Sequence, residues 1–415
     1  MGRERIKFIN EERENDMSKT QELIAIEEKY GAHNYHPLDV VISRAEGVWV
    51  YDVDDNRYLD CLAAYSSVNQ GHCNPHILKA FKEQAEKVTI TSRAFRNDQL
   101  PALYKKLHDM TGFDMSLPMN SGAEAVETAI KAARRWGYRN KGISKDKAEI
   151  IVASDNFHGR TTTIVGFSTD EQYKKEFGPF TPGFVVSEYG NIESVKSLIN
   201  ENTCCIMVEP IQGEAGIIIP PDGYLKQLRE LCDQHNILLA FDEIQAGLGR
   251  SGKMFAYQYE DVIPDMVIIG KALSGGFYPV SAVLSNNEVL GVFGPGDHGS
   301  TFGGNPLGAA VATAALEVIE NENLIQKSFD NGNYFMEKLK SIKSSKIKEV
   351  RGKGLWIGLE LTEPARKYCE DLMGLGVLCK ETHDYVIRIA PPLVITREEI
   401  DWAFDRIKEV VEKYA

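Results

Sequence analysis

Ala148–Val152 (AEIIV), Cys204–Val208 (CCIMV), Ile237–Phe241 (ILLAF) and Met266–Ile269 (MVII) punctuate the middle of the chain, and the intervals between them carry helical periodicity. Apolar runs this short, branched and bounded by polar or turn residues read as buried strands. Strands that alternate with helices predict an α/β fold whose mostly parallel sheet is covered by helices on both faces. Ala123–Trp136 and Gly223–His235 place apolar residues three and four apart, and Ser121 with Glu124 forms an S-x-x-E capping box before the first. Val48–Leu59 predicts a hairpin around Asp54-Asp55-Asn56, and a long helical pattern runs from Asn305 to Asn321. The expected organisation is a large domain at 61–321 and a smaller one built from 17–60 and 322–415. Residues 1–16 read as an extension, the product of an alternative start, or a cloning remnant ahead of Met17.

Composition excludes several classes. With 415 residues, 43% of them hydrophobic, the chain can bury a sizeable core. Its longest apolar runs fall far short of the ~20 residues that span a bilayer. The 47 Lys and Arg against 60 Asp and Glu give a net charge of −13, and no basic run suggests a nucleic-acid partner. Seven scattered cysteines without a C-x-x-C pair suggest neither a disulfide framework nor a zinc site. The first 16 residues mix four basic with five acidic side chains, unlike a signal or transit peptide, so the cytoplasm is the expected location.

Ligands of such sheets bind at the carboxyl ends of the strands, and two groups there stand out. Asp242 ends ILLAF; alone it serves equally well as a helix cap or a turn acid. Lys271 follows MVII in GKALSGG; a lone lysine is usually a solvated loop residue, but one with reduced solvation can form a Schiff base. Together they supply what pyridoxal phosphate requires, an acid for its ring nitrogen and an amine for its aldehyde. Asn120-Ser121-Gly122-Ala123 opens a helix and could seat a phosphate, though any capped helix looks similar. Gly299–Asn305 is a second candidate cradle, or a plain turn. Arg388 interrupts the apolar strand VIRIA, where an internal ion pair and a substrate clamp both remain open. Arg160 lies in NFHGRT, and its neighbour His158 reads as a packing or capping residue.

The motifs EPIQGEAG (209–216), FDEIQAGLGRSG (241–252), GKALSGGFYPV (270–280) and HGSTFGGNPL (298–307) resemble class III, fold-type I pyridoxal-phosphate aminotransferases. Within that class NYHP (34–37), AYSSVNQGH (64–72), TSRAF (91–95), MNSGAEAVETA (119–129), RGKGL (351–355) and IRIAPPL (387–393) are similar to the ornithine aminotransferases. The resemblance covers about residue 30 to the end, with small variants at Ser121 and Ala123 and a Cys61 where bulkier residues are common.

This resemblance implies that Lys271 holds the cofactor as a Schiff base and Asp242 partners its pyridine nitrogen. Phe157 would stack on the ring and Gln245 would bond its 3′-oxygen. Ser121, Gly122 and Ala123 would hold the phosphate, with Ser300 and Thr301 reaching it from the neighbouring subunit of a homodimer, or of a higher oligomer. Tyr35 and Arg160 would grip the α-amino and α-carboxylate groups of L-ornithine, and Tyr65 would shape its pocket. Glu214 would pair with Arg388 and later release it to 2-oxoglutarate. The implied reaction is a ping-pong transfer of ornithine's δ-amino group, giving glutamate and glutamate 5-semialdehyde, which cyclises to pyrroline-5-carboxylate. Acetylornithine, 4-aminobutyrate or lysine as donor is the nearest rival, and a catalytically silent binding protein of the same fold is another. A nicotinamide dehydrogenase is disfavoured because no G-x-G-x-x-G follows an early strand.

Overall fold

The computed structural model describes residues 17–415; the expected extension at 1–16 lies outside the described residues. A helix at Lys19–Tyr30, capped by Ser18, is followed by strands β1 (Ile42–Glu46), β2 (Trp49–Asp52) and β3 (Arg57–Asp60). The predicted hairpin is β2 and β3, which pair antiparallel with Trp49 opposite Leu59. Its turn is held by Asp52, whose carboxylate accepts from the backbone amides of Asp54 and Asn56 and from the Tyr58 hydroxyl.

The central sheet contains β4 (Met115–Met119), β5 (Glu149–Ala153), β6 (Phe184–Ser187), β7 (Thr203–Val208), β8 (Leu238–Asp242), β9 (Met266–Ile269) and β10 (Ser281–Ser285), in the order β4-β10-β9-β8-β7-β5-β6. From β6 to β9 every pairing is parallel, and β10 runs against both neighbours. All four predicted strands are present, within one residue of the expected bounds.

Both faces of this sheet are buried, which is why its strands are apolar without alternation. Ile206, Val208, Leu239, Phe241, Val267 and Ile269 point to one face, which is shared with Leu228 of helix Tyr224–His235 and Val311 and Leu316 of helix Pro306–Asn321. Cys205, Met207, Leu238, Ala240, Met266 and Ile268 point to the other, against helix Gly122–Arg139. Truncating a fully buried aromatic such as Phe241 to Ala would cost about 3–5 kcal/mol.

The C-terminal region adds β11 (Ile347–Lys353), β12 (Trp356–Leu361), β13 (Val377–Leu378), β14 (Lys380–Thr382) and β15 (Val386–Ile389). Four of these form a sheet in the order β11-β12-β15-β14. The fifth, β13, pairs in parallel with β3, so strands more than 300 residues apart in sequence share one sheet. This pairing, with the Ala390 amide donating to the Cys61 carbonyl at 2.7 Å, brings the start and end of the chain to the edge where Asp242 and Lys271 emerge.

Candidate active site

Five connections at the carboxyl ends of the central strands carry polar groups into one region. Lys271 leaves β9 through Gly270 and starts a short 3-10 turn with φ of +42°, a left-handed conformation unusual for a lysine. Burial pushes its ammonium down to about 8, opposed by Glu214, while Arg388 pushes the same way as burial and Asp242 and Glu209 resist. A buried lysine that releases its proton near neutrality is a nucleophile.

Asp242 is the last residue of β8 and is 5% exposed. One of its oxygens accepts from the Ile244 amide at 3.0 Å and the other bonds His158 Nδ1 at 2.7 Å. His158 is therefore part of the site as a buried partner of Asp242, a role beyond the packing or capping expected of it. Burial pushes the imidazole down, but the hydrogen bond and charge of Asp242 outweigh it and leave His158 above its ordinary value.

Glu209, just past β7, was not singled out from the sequence. It follows CCIMV as Asp242 follows ILLAF, an acid at the end of an apolar strand. Glu209 accepts from the backbone amides of Phe157 at 2.9 Å and Gly213 at 3.2 Å, joining the loop after β5 to the loop after β7. Burial pushes its carboxyl up to about 7.

The helix after β4 begins as expected. Ser121 accepts from the Glu124 amide, and Glu124 returns with bonds from the amides of Ser121 and Asn120. The Gly122 and Ala123 amides, in the first turn, find no acceptor among the described residues. A side chain at Gly122 would bring its Cβ within 2.9 Å of Ile244 Cδ1, so glycine lets this helix end approach the loop after Asp242. Asn120, Ser121, Gly122, Lys271 and Phe277 line one cavity of ≈ 340 Å³. Free helix-end amides beside a buried amine, with Asp242 in electrostatic range, fit a group that carries a phosphate, an aldehyde and a basic ring nitrogen. Ser300 accepts from Asn120 Nδ2 of its own chain at 2.8 Å, and Thr301 is exposed.

Two arginines lie nearby in opposite states. Arg388, on β15 and 1% exposed, bonds Glu214 at 3.0 Å, the Gly213 carbonyl at 2.9 Å and Gln245 Oε1 at 3.3 Å. Gln245 also donates to Glu214 at 3.0 Å, so the structure places it in this cluster. Burial would raise the Glu214 carboxyl, but Arg388 and then Lys271 outweigh it and hold it below the ordinary range. Of the two roles left open for Arg388, the structure displays the ion pair. Arg160 is exposed and has no ion-pair partner among the described residues; its guanidinium lies 4.6 Å from the ring centre of Tyr173 and 5.7 Å from that of Phe157.

The Tyr65 ring lies 5.1 Å from the Arg388 guanidinium. It is delivered by a left-handed turn in which Ala63, Ala64, Tyr65 and Ser66 have φ of 51°, 46°, 56° and 74°. Such a conformation costs a non-glycine residue roughly 1–2 kcal/mol. Tyr35 is 73% exposed, near enough to Tyr65 to act on it electrostatically.

The aminotransferase class-III family model matches residues 30–411. An ornithine aminotransferase of Brevibacillus brevis is 61% identical over 395 residues, covering 95% of this chain and 99% of its own. Among solved structures, an ornithine aminotransferase of Toxoplasma gondii, with partial occupancy of PLP at its active site, superposes with a TM-score of 0.94 at 41% identity over 98% of both chains. An acetylornithine aminotransferase of Elizabethkingia anophelis gives 0.89 at 50% identity, over 96% of this chain and 100% of the other. A buried amine beside a strand-end carboxylate thus sits in a chain matched along nearly its whole length, and the chain belongs to the class-III aminotransferases.

Proposed function

We propose that the protein transfers the δ-amino group of L-ornithine to 2-oxoglutarate, forming glutamate and glutamate 5-semialdehyde. The observation that carries this reading is the contrast between the two arginines. Arg388 is closed by Glu214, whereas Arg160 stands open beside Tyr173 and Phe157. One site must accept a donor whose reacting end is a bare CH₂–NH₂, then an acceptor whose reacting carbon bears a carboxylate. Arg160, with Tyr35, would hold the α-carboxylate and α-amino end of ornithine and so direct the δ-amine inward. With Arg388 neutralised by Glu214, no free cation draws a carboxylate to the reacting end. When 2-oxoglutarate enters, Glu214 would release Arg388 to bind its α-carboxylate.

Pyridoxal phosphate, when bound, supplies an electrophilic aldehyde and a ring that accepts electrons from the reacting carbon. Lys271 would hold that aldehyde at rest, and Ser121, Gly122 and Ala123 would hold the phosphate, with Ser300 and Thr301 contributing from a partner subunit. Asp242 would keep a proton at the ring nitrogen, Phe157 would cover the ring and Gln245 would bond the 3′-oxygen. Once displaced by the donor, the Lys271 Nζ would take the proton from the donor's δ-carbon and return one in the next step. The proposed setting is a cytoplasmic homodimer, each chain built as a large domain at 61–321 and a small one from 17–60 and 322–415.

A second reading, acetylornithine as donor, is favoured by the 50% identity to the Elizabethkingia enzyme. Initial rates with ornithine, acetylornithine, 4-aminobutyrate and lysine, each with 2-oxoglutarate, separate the two. Ornithine is expected to give the highest kcat/KM and to yield pyrroline-5-carboxylate; a higher value for another donor overturns the proposal.

A further inference from the structure

The left-handed turn at Ala63–Ser66 has no glycine to ease it, so something must hold it. Asp60, the last residue of β3 and 7% exposed, does so through one oxygen, which accepts from the Leu62 amide at 2.8 Å and the Ala63 amide at 2.9 Å. Its other oxygen bonds His72 Nε2 at 2.7 Å. His72 is itself fixed, exchanging two backbone hydrogen bonds with Gly47. The strand behind Asp60 is clamped on both sides, its amide donating to Val48 and that of Cys61 to Leu378. A rigid support therefore ends in a carboxylate that gathers two successive amides, and the chain leaves it wound in the disfavoured hand with the Tyr65 ring over Arg388.

We propose that Asp60 is a positioning residue which, braced by His72, holds Tyr65 against Arg388 and so sets how well the released arginine receives the carboxylate of the amino acceptor. The ring gives the guanidinium a face to lie on that does not depend on Glu214. When Glu214 lets go, Tyr65 still limits where Arg388 can swing, so the acceptor meets a cation already oriented. The inference rests on the reading that Arg388 binds 2-oxoglutarate.

The test compares Asp60→Ala with Asp60→Asn, whose side-chain oxygen can still accept the two amides, and with Asp60→Ala carrying Ala64→Gly, since glycine adopts the left-handed conformation freely. For Asp60→Ala the KM for 2-oxoglutarate is expected to rise at least fivefold, while the single-turnover rate with ornithine, whose pocket Tyr65 would also shape, falls by a smaller factor. Asp60→Asn and the glycine double variant are expected to recover most of the loss. An unchanged KM, or a parallel fall in both half-reactions without rescue by glycine, overturns the proposal. If Asp60→Ala does not fold, His72→Ala takes its place with a smaller shift in the same direction, and no shift overturns the proposal. A crystal structure of the variant is independent of the donor: the turn should relax and Tyr65 leave Arg388. A turn that stays left-handed refutes the role of Asp60 even if ornithine is the donor, whereas absence of ornithine turnover in the unaltered enzyme refutes only the functional reading.

Discussion

Glu214→Gln removes one charge from a buried ion pair while leaving an oxygen for the guanidinium. Arg388 is 1% exposed and Glu214 25%, so water screens the pair little. A hydrogen bond to a charged group contributes about 1.5–3 kcal/mol; the ion pair belongs at the upper end and the amide–guanidinium bond left by Gln at the lower, so neutralisation loosens the hold on Arg388 by about 1–1.5 kcal/mol. The Gly213 carbonyl and Gln245 remain as acceptors and keep the arginine in place. In the proposed cycle 2-oxoglutarate displaces Glu214 to bind, so that loss would return as acceptor affinity. At about 1.4 kcal/mol per tenfold, the KM for 2-oxoglutarate should fall roughly 5- to 12-fold. Ornithine should suffer in exchange, because an open Arg388 invites its carboxylate to the reacting end. Steady-state rates with each substrate varied at saturating levels of the other read both effects. A KM for 2-oxoglutarate that is unchanged or higher would refute the view of Glu214 as a removable gate.

Three further outcomes follow from Lys271 and Arg160. With Lys271 near 8, the amine is mostly protonated below that pH, so pyridoxal phosphate uptake by the apoenzyme should rise about tenfold per pH unit up to about 8 and level above it; a flat profile from pH 6 to 8 contradicts this. The stability consequence has a definite sign. The folded lysine loses its proton near 8 and the unfolded one near 10.5, so the cost of burying the charge is complete below 8 and eases as pH rises between these values. Lys271→Met should therefore raise the Tm of the apoenzyme more at pH 7 than at pH 9.5, and an equal gain at both would count against it. Arg160→Ala removes an exposed cation with no ion-pair partner among the described residues, so stability should change by no more than about 0.5 kcal/mol. The KM for ornithine should rise about 10- to 100-fold with the loss of a charged hydrogen bond; an unchanged value would remove Arg160 from the donor site.

Much of this arrangement was legible in the sequence because local pattern determines it. The four apolar runs can only be interior strands, and Ser121 with Glu124 caps its helix through neighbours three residues apart. Asp242 and Lys271 are visible because each stands within two residues of the end of such a run. What local pattern did not show depends on distant partners. The two-residue strand β13 exists because β3 is beside it, and nothing in Val377-Leu378 announces that. His158 looked like a packing residue because its partner lies 84 positions away. The left-handed turn at Ala63–Ser66 carries no glycine or asparagine to advertise it, and its cause, Asp60, reads in sequence as an ordinary strand-end acid. The sequence around Arg388 leaves its role open because Glu214, Gln245 and Gly213, which surround it, lie more than 100 residues away in the chain.

The proposed orientation of ornithine decides which of its nitrogens meets the aldehyde that Lys271 would hold. Ornithine labelled with ¹⁵N at the δ-position, incubated with the enzyme and 2-oxoglutarate, should yield glutamate carrying the label in equal amount to the pyrroline-5-carboxylate formed, while α-labelled ornithine should yield unlabelled glutamate. Transfer of the α-label would contradict the account, because Arg160 and the closed Arg388–Glu214 pair would then be orienting the donor the other way round.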